Sequence, residues 1–111
     1  MNRIDTNTKE AVRRFLTLIE NRYDIAGVIL YGSRARGTNN LDSDADLAIL
    51  LKGEHRHFLT VMDMADAAFD VMLETEIFIS PLPVWLDEWE NPENYPNPAL
   101  LRNIAREGVR L

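Results

Sequence analysis

Two aspartates, Asp44 and Asp46, stand one residue apart at the start of an apolar run. Side chains alternate across a strand with a period of two residues, so both carboxylates are expected on one face. Like charges at this spacing repel each other, and a divalent cation between them would remove the repulsion. Mg²⁺ often binds one or two carboxylates together with substrate phosphates, which makes the pair a candidate metal site. The alternative is a solvated turn followed by a strand entrance, without a ligand.

A second polar cluster precedes this pair. Gly32 lets the backbone approach a ligand closely, and Ser33 offers a hydroxyl and an amide after the first apolar run. Amides after a strand can point at phosphate oxygens, and Arg34 and Arg36 add positive charge. These four residues are candidate triphosphate ligands. Taken alone, the segment also fits a glycine-bounded surface turn with two solvated arginines.

The two clusters are separated by a characteristic spacing. Gly32 and Ser33 are followed by ten residues and then by Asp44, Ala45 and Asp46. This spacing resembles the signature of the polymerase beta-type nucleotidyltransferases: Gly-Ser, about ten residues, then Asp-x-Asp or Asp-x-Glu. The segments "YGSRARG" and "LLRNIAREGVRL" are similar to the minimal nucleotidyltransferase (MNT) branch of that superfamily, and the resemblance covers most of the chain.

The resemblance implies an activity and residue roles. The activity is transfer of a nucleoside monophosphate from a nucleoside triphosphate, usually ATP, to a hydroxyl group. Asp44 and Asp46 would hold Mg²⁺, and Gly32 and Ser33 would hold the triphosphate.

The resemblance also implies a third metal-binding and catalytic carboxylate on a later strand, on the face shared with the pair. We assign Glu76, because it begins the third apolar run and would share its face with Phe78 and Ser80. Glu74 and Asp70 are the alternatives. If Glu76 is only a solvated charge, the general base is missing and catalysis would be weak or absent.

A protein partner is also implied by the resemblance. Many MNT members resemble antitoxins encoded beside a HEPN-domain ribonuclease toxin, which they bind and can modify on tyrosine with AMP. Two other functions stay open. One is an inactive module that neutralises a partner by contact alone. The other is a nucleotidyltransferase for small molecules of the aminoglycoside type; the short chain argues against it, although a homodimer could build a shared pocket.

The composition limits the class of protein. A chain of 111 residues with 46% hydrophobic residues fits one domain over residues 1–111. The net charge of -6 argues against broad nucleic-acid binding, which depends on lysine and arginine. The absence of cysteine excludes disulfides, thiolate-bound zinc and cysteine nucleophiles. No segment has the apolar character of a signal peptide or membrane span, so we expect a cytoplasmic protein.

Hydrophobic periodicity predicts the elements that position these residues. We expect an α+β fold, with a small mixed sheet of about three strands flanked by helices, as in the nucleotidyltransferase fold. The predicted strands are Ile25–Tyr31, Asp46–Leu51 and an edge or short strand within Glu76–Val84, which contains two prolines. Helices are predicted over Thr8–Asn21, with Asn7 and Glu10 as a capping box, over Arg56–Leu73, and from Pro98 onwards.

The long middle helix is predicted to cover the sheet. Its apolar residues recur at helical spacing: Phe58, Leu59, Met62, Ala65, Phe69 and Met72. After the third strand, Trp85, Trp89 and Tyr95 could stack an adenine, face a partner or pack over the sheet edge. His55 and His57 are expected to be solvated loop residues.

Overall fold

The computed structural model describes residues 4–111. The helices are α1 (Thr6–Ile19), α2 (Ser33–Arg36), α3 (His57–Thr75), α4 (Leu86–Glu90) and α5 (Pro98–Glu107), with a 3₁₀ turn at Pro92–Asn94. The strands are β1 (Ile25–Tyr31), β2 (Ala45–Leu51), β3 (Ile79–Trp85) and β4 (Val109–Arg110). Across residues 4–111, no helix has both the length and the apolar character needed to cross a membrane.

The strands form one mixed sheet in the order β3-β2-β1-β4. Strand β1 is antiparallel to both β2 and β4, whereas β3 runs parallel to β2 after the crossover through α3. The α+β class with a mixed, helix-flanked sheet is confirmed. The described chain has four strands where about three were predicted, because β4 is only two residues long and shows no periodic pattern.

The sheet separates two apolar layers. Alternate residues of β2, Leu47, Ile49 and Leu51, lie in a cluster with α1 and α3. The intervening residues Ala48 and Leu50 belong to a second cluster with Leu101 and Ile104 of α5. Because side chains alternate along a strand, Asp46 lies on the α5 face of the sheet.

The first helix begins earlier than predicted. Asp5 is its N-cap, and its Oδ1 accepts a hydrogen bond from the Thr8 backbone amide at 2.7 Å. Asn7 therefore lies inside the first turn, and the predicted capping box of Asn7 and Glu10 is wrong. An aspartate oxygen satisfies an amide that has no partner within the helix, which explains the earlier start.

Helix α3 covers the sheet with a different face from the predicted one. Small and medium residues face the core: Thr60, Met64, Ala67, Ala68 and Val71. The large residues Phe58, Leu59, Met62 and Phe69 are exposed. The prediction that they cover the sheet is wrong, because α3 is apolar on two opposite faces. The face with the smaller side chains lets the helix approach the strands closely.

The third strand also begins later than predicted. Glu76 is the C-cap of α3, with a left-handed φ of 62°, and β3 starts at Ile79. Pro81 and Pro83 lie within β3, which is an edge strand, as their missing amide protons require. The edge position is confirmed, whereas the placement of Glu76 on the strand is wrong.

Candidate active site

A tight turn joins β1 to α2 at the predicted phosphate-binding residues. Gly32 has φ 76° and ψ −161°, and its carbonyl accepts hydrogen bonds from the amides of Ala35 and Arg36 at 3.1 and 3.2 Å. Ser33 is the first helical residue, and amides at this position have no partner within a helix. The turn therefore presents the Ser33 amide and hydroxyl at the end of β1.

The two aspartates lie next to this turn. Asp44 is exposed just before β2, and Asp46 is half-buried within β2, opposite Tyr31 of β1. Gly32 packs so closely on Asp46 that a Cβ atom added at Gly32 would collide with Oδ2 of Asp46. The structure thus brings the glycine-serine turn and the aspartate pair together, as the spacing in the sequence predicts.

The pKa of Asp46 shows that its negative charge is unfavourable at this position. Burial, and then the charge of Asp44, raise the pKa of Asp46, while Arg36 acts in the opposite direction. Burial and the Asp46 charge also raise the pKa of Tyr31 to about 12. Both shifts show that excess negative charge is unfavourable here, and a bound cation would reverse this.

The raised pKa of Asp46 predicts how the stability of the fold depends on pH. Between the ordinary aspartate pKa of 3.8 and the raised value, the folded chain binds more protons than the unfolded chain. The free energy of unfolding therefore falls as pH rises through this window, and the loss persists above it. Asp46→Asn lacks this penalty. We expect it to melt a few degrees higher than wild type near pH 7 in a chelator, with the difference shrinking towards about pH 4.

Thermal unfolding across this pH range measures the effect. Asp42→Asn is the control, because Asp42 is an exposed aspartate of the same loop. It should remain close to wild type. An Asp46→Asn variant that melts below wild type at neutral pH would contradict the electrostatic argument.

Arg34 does not have the role predicted for it. Its side chain is only 3% exposed, and its guanidinium donates to the carbonyl of Ser43 at 2.8 Å, to Oγ1 of Thr8 at 2.8 Å and to the carbonyl of Asn40 at 3.4 Å. The structure therefore corrects the assignment of Arg34 from phosphate ligand to anchor of the loop before the aspartates. Arg36 is exposed and remains available to a ligand.

The Arg34 anchor predicts a large effect on stability. Arg34→Ala should lower the free energy of unfolding by about 3 kcal/mol, because it removes three charged hydrogen bonds and leaves the buried Thr8 hydroxyl without this partner. Arg34→Lys keeps the charge but loses the planar fork, so its loss should be intermediate. Denaturant unfolding measures both. Equal stabilities for wild type and Arg34→Ala would contradict the anchoring role.

The partners of Arg34 in and before α1 were not predicted from the sequence. Thr8 is fully buried in the first turn of α1, and Oδ2 of Asp5 lies 3.8 Å from the Arg34 guanidinium. Oδ2 of Asp5 also accepts from the Asn39 side chain at 3.2 Å. The signal was present, since Asp5 and Thr8 have capping spacing, but the Asn7 and Glu10 pattern offered a competing start.

The predicted third carboxylate, Glu76, does not lie at this site. In the parallel register, Asp46 lies beside Ser80, and β3 contains no acidic residue. Glu76 is exposed at the end of α3, outside the sheet. Within residues 4–111, no group of three or more acidic or histidine side chains is arranged to hold a metal ion. The structure therefore provides two carboxylates at this site.

One cavity adjoins the site, and a second lies at the opposite end of β3, at Trp85. A groove of about 810 Å³ runs between α1 and the sheet edge at β4, and Arg36 is among its lining residues. A smaller cavity of about 390 Å³ is lined by Tyr95, Glu88 and both predicted loop histidines. The His55 ring stacks on Trp85 at 4.7 Å, and Trp85 is buried. Trp85 therefore packs against the protein, while Tyr95 stays partly accessible.

Comparisons with known proteins identify a family and a similar solved structure. The model of the family described as Polymerase beta, Nucleotidyltransferase matches residues 15–82, which include the turn and both aspartates. A solved structure described as a proposed nucleotidyltransferase from Sulfolobus solfataricus is 18% identical, with a TM-score of 0.49. That match covers 96% of this chain and 86% of the other. No curated protein matches the chain at a significant level.

Proposed function

Because the chain belongs to the polymerase beta nucleotidyltransferase family, we propose that it transfers AMP from ATP to a hydroxyl group with the help of Mg²⁺. The observation that carries this proposal is the packing of Gly32 against Asp46. It joins a turn with free amides to a pair of carboxylates at one end of the sheet. A triphosphate and a divalent cation need these two kinds of ligand side by side.

The chemistry of the donor atoms fits Mg²⁺. Family members generally use divalent metals, and two carboxylates leave coordination positions for phosphate oxygens and water. When bound, the ion would neutralise charge on the triphosphate and lower the pKa of the attacking hydroxyl. Asp44 and Asp46 would hold the ion, and the Ser33 amide and hydroxyl would orient the phosphates.

The proposed reaction has a simple balance. The hydroxyl oxygen bonds to the α-phosphorus of ATP, the bond to the bridging oxygen breaks, and pyrophosphate leaves. The hydroxyl proton must go to a carboxylate or to water. Since β3 has no carboxylate, Asp44, Asp46 and solvent are the acceptors that the site offers.

The proposed acceptor is a tyrosine hydroxyl on a HEPN-type toxin, for which this chain would act as antitoxin. The sequence resemblance to the MNT branch motivates this step. The net charge of -6 supports it, because an acidic protein associates favourably with a basic partner surface.

A second candidate function is neutralisation of the partner by contact alone. The observation that favours it is the register of β3, which puts Ser80 in place of a carboxylate beside Asp46. Without a third carboxylate, transfer would be slow. The protein could still cover the partner's surface.

One experiment separates the two candidates. Wild type, Ser80→Asp and the double variant Asp44→Asn, Asp46→Asn are incubated with Mg²⁺, α-labelled ATP and a HEPN-type ribonuclease, and both label and ribonuclease activity are measured. The enzyme proposal expects label with wild type, more label with Ser80→Asp and none with the double variant. Inhibition of the ribonuclease without label from wild type or Ser80→Asp would support contact alone.

A further inference from the structure

Helix α3 carries an apolar stripe on the face that points away from the sheet. The stripe consists of Phe58, Met62, Ala65, Phe69 and Leu73, and the four large residues are 72, 52, 52 and 64% exposed, respectively. These residues recur every three or four positions, so they form one continuous surface. A helix that is apolar on both faces is typical of a buried helix, which indicates that another element covers this one.

We propose that the stripe is the interface of a homodimer in which two copies of α3 pair antiparallel. The order of residues carries the proposal. Phe58 and Leu73 are equally distant from the midpoint between Ala65 and Asp66, and so are Met62 and Phe69. In a two-fold interface, residue i contacts residue j and residue j contacts residue i. Each large side chain would therefore meet a large one, with the small Ala65 beside the axis.

The charges beside the stripe permit a second copy of this chain. Four acidic residues lie on the side of α3 between the stripe and α1: Asp63, Asp66, Asp70 and Glu74. Two of them, Asp63 and Glu74, are paired within the chain, with Arg22 and Arg14, which reduces the repulsion between two copies.

The direction of pairing also follows from charge. Antiparallel helices would bring Arg56 and His57 of one copy to the acidic C-terminal end of α3 in the other. The helix dipoles favour the same direction. A parallel pair would bring the two copies of Asp70 together, whereas in the antiparallel pair they lie about 14 Å apart along the axis.

The size of the surface suits a dimer. A fully buried aromatic side chain removes 150–250 Å² from water, so the exposed parts of this stripe amount to on the order of 500 Å² per chain. Stable interfaces bury about 800 Å² per partner, including a polar rim, so this stripe would supply the apolar centre of such an interface. Asp46 lies on the opposite face of the sheet, so pairing through α3 leaves both candidate active sites open.

The association state tests the proposal. Sedimentation of wild type should give twice the chain mass. Phe69→Glu should weaken association at least about tenfold, because it would bury a carboxylate opposite Met62. Phe69 is exposed in the single chain, so this variant should fold normally. Arg102→Glu on the exposed face of α5 is the control and should remain dimeric.

Cross-linking tests the direction of pairing. The chain has no cysteine, so single introduced cysteines report one contact each. Ala65→Cys should form a disulfide with its own copy, and a mixture of Phe58→Cys and Leu73→Cys should form a mixed one. Phe58→Cys alone should not, since its copies would lie about 22 Å apart along the axis. A monomeric wild type, an unchanged mass for Phe69→Glu, or self-linkage of Phe58→Cys would overturn the proposal.

Discussion

The double variant Asp44→Asn, Asp46→Asn is expected to lose nucleotidyl transfer by at least about a thousandfold. Removing one group that stabilises developing charge in a transition state costs about 10²–10³ in rate, and this variant removes both candidate ligands of the cation. The fold should survive, because Asp44 is exposed and the charge of Asp46 is unfavourable in the metal-free chain. Steady-state transfer of label from ATP measures the effect.

The control for this variant is Asp42→Asn. Asp42 belongs to the same loop and is exposed, and its backbone amide rather than its carboxylate bonds to Asn40. Transfer by Asp42→Asn should stay within about twofold of wild type. Undiminished transfer by the double variant would show that the aspartates are not the catalytic pair.

The second large effect is expected at Gly32. Its φ of 76° and ψ of −161° lie in a region that is nearly restricted to glycine, and a Cβ atom there would collide with Asp46. Gly32→Ala should therefore lower the free energy of unfolding by about 1–3 kcal/mol and reduce transfer by at least about a hundredfold. The second effect arises because the alanine displaces either the turn or the carboxylate.

Gly53→Ala is the control that separates the effect of backbone strain from displacement of the turn or of Asp46. Gly53 has a φ of 100°, but a Cβ atom there would meet no atom within 4 Å. It should lose stability to a similar extent and retain transfer. Equal transfer by Gly32→Ala and wild type would contradict the idea that close packing of the turn on Asp46 builds the site.

The order of elements and one strand could be predicted closely from the sequence. Strand β1 has the predicted bounds, because Gly32 ends a run of β-branched and aliphatic residues. Asn97 caps α5 as predicted, by accepting from the Leu100 amide at 3.3 Å. The turn and the aspartate pair were also predictable, since their spacing is local to one loop between adjacent strands.

The errors have physical causes that a single sequence does not reveal. Helix α3 has two apolar faces, and the one with Ala67 and Ala68 packs against the sheet. Glu76 ends α3 in a left-handed conformation that is uncommon for a non-glycine residue. Because no glycine marks this helix end in the sequence, Glu76 was assigned to the strand. Arg34 was assigned to phosphate because its charge is visible in the sequence, whereas the acceptors that surround it in the fold are not.

The most direct test of the account is a calorimetric titration of ATP, with and without Mg²⁺, into wild type and into the double variant Asp44→Asn, Asp46→Asn. The account predicts binding to wild type that is strong only with Mg²⁺, and much weaker binding to the double variant under the same conditions. ATP binding that is unchanged by the removal of Mg²⁺ or of both carboxylates would contradict it, as would the absence of binding to wild type.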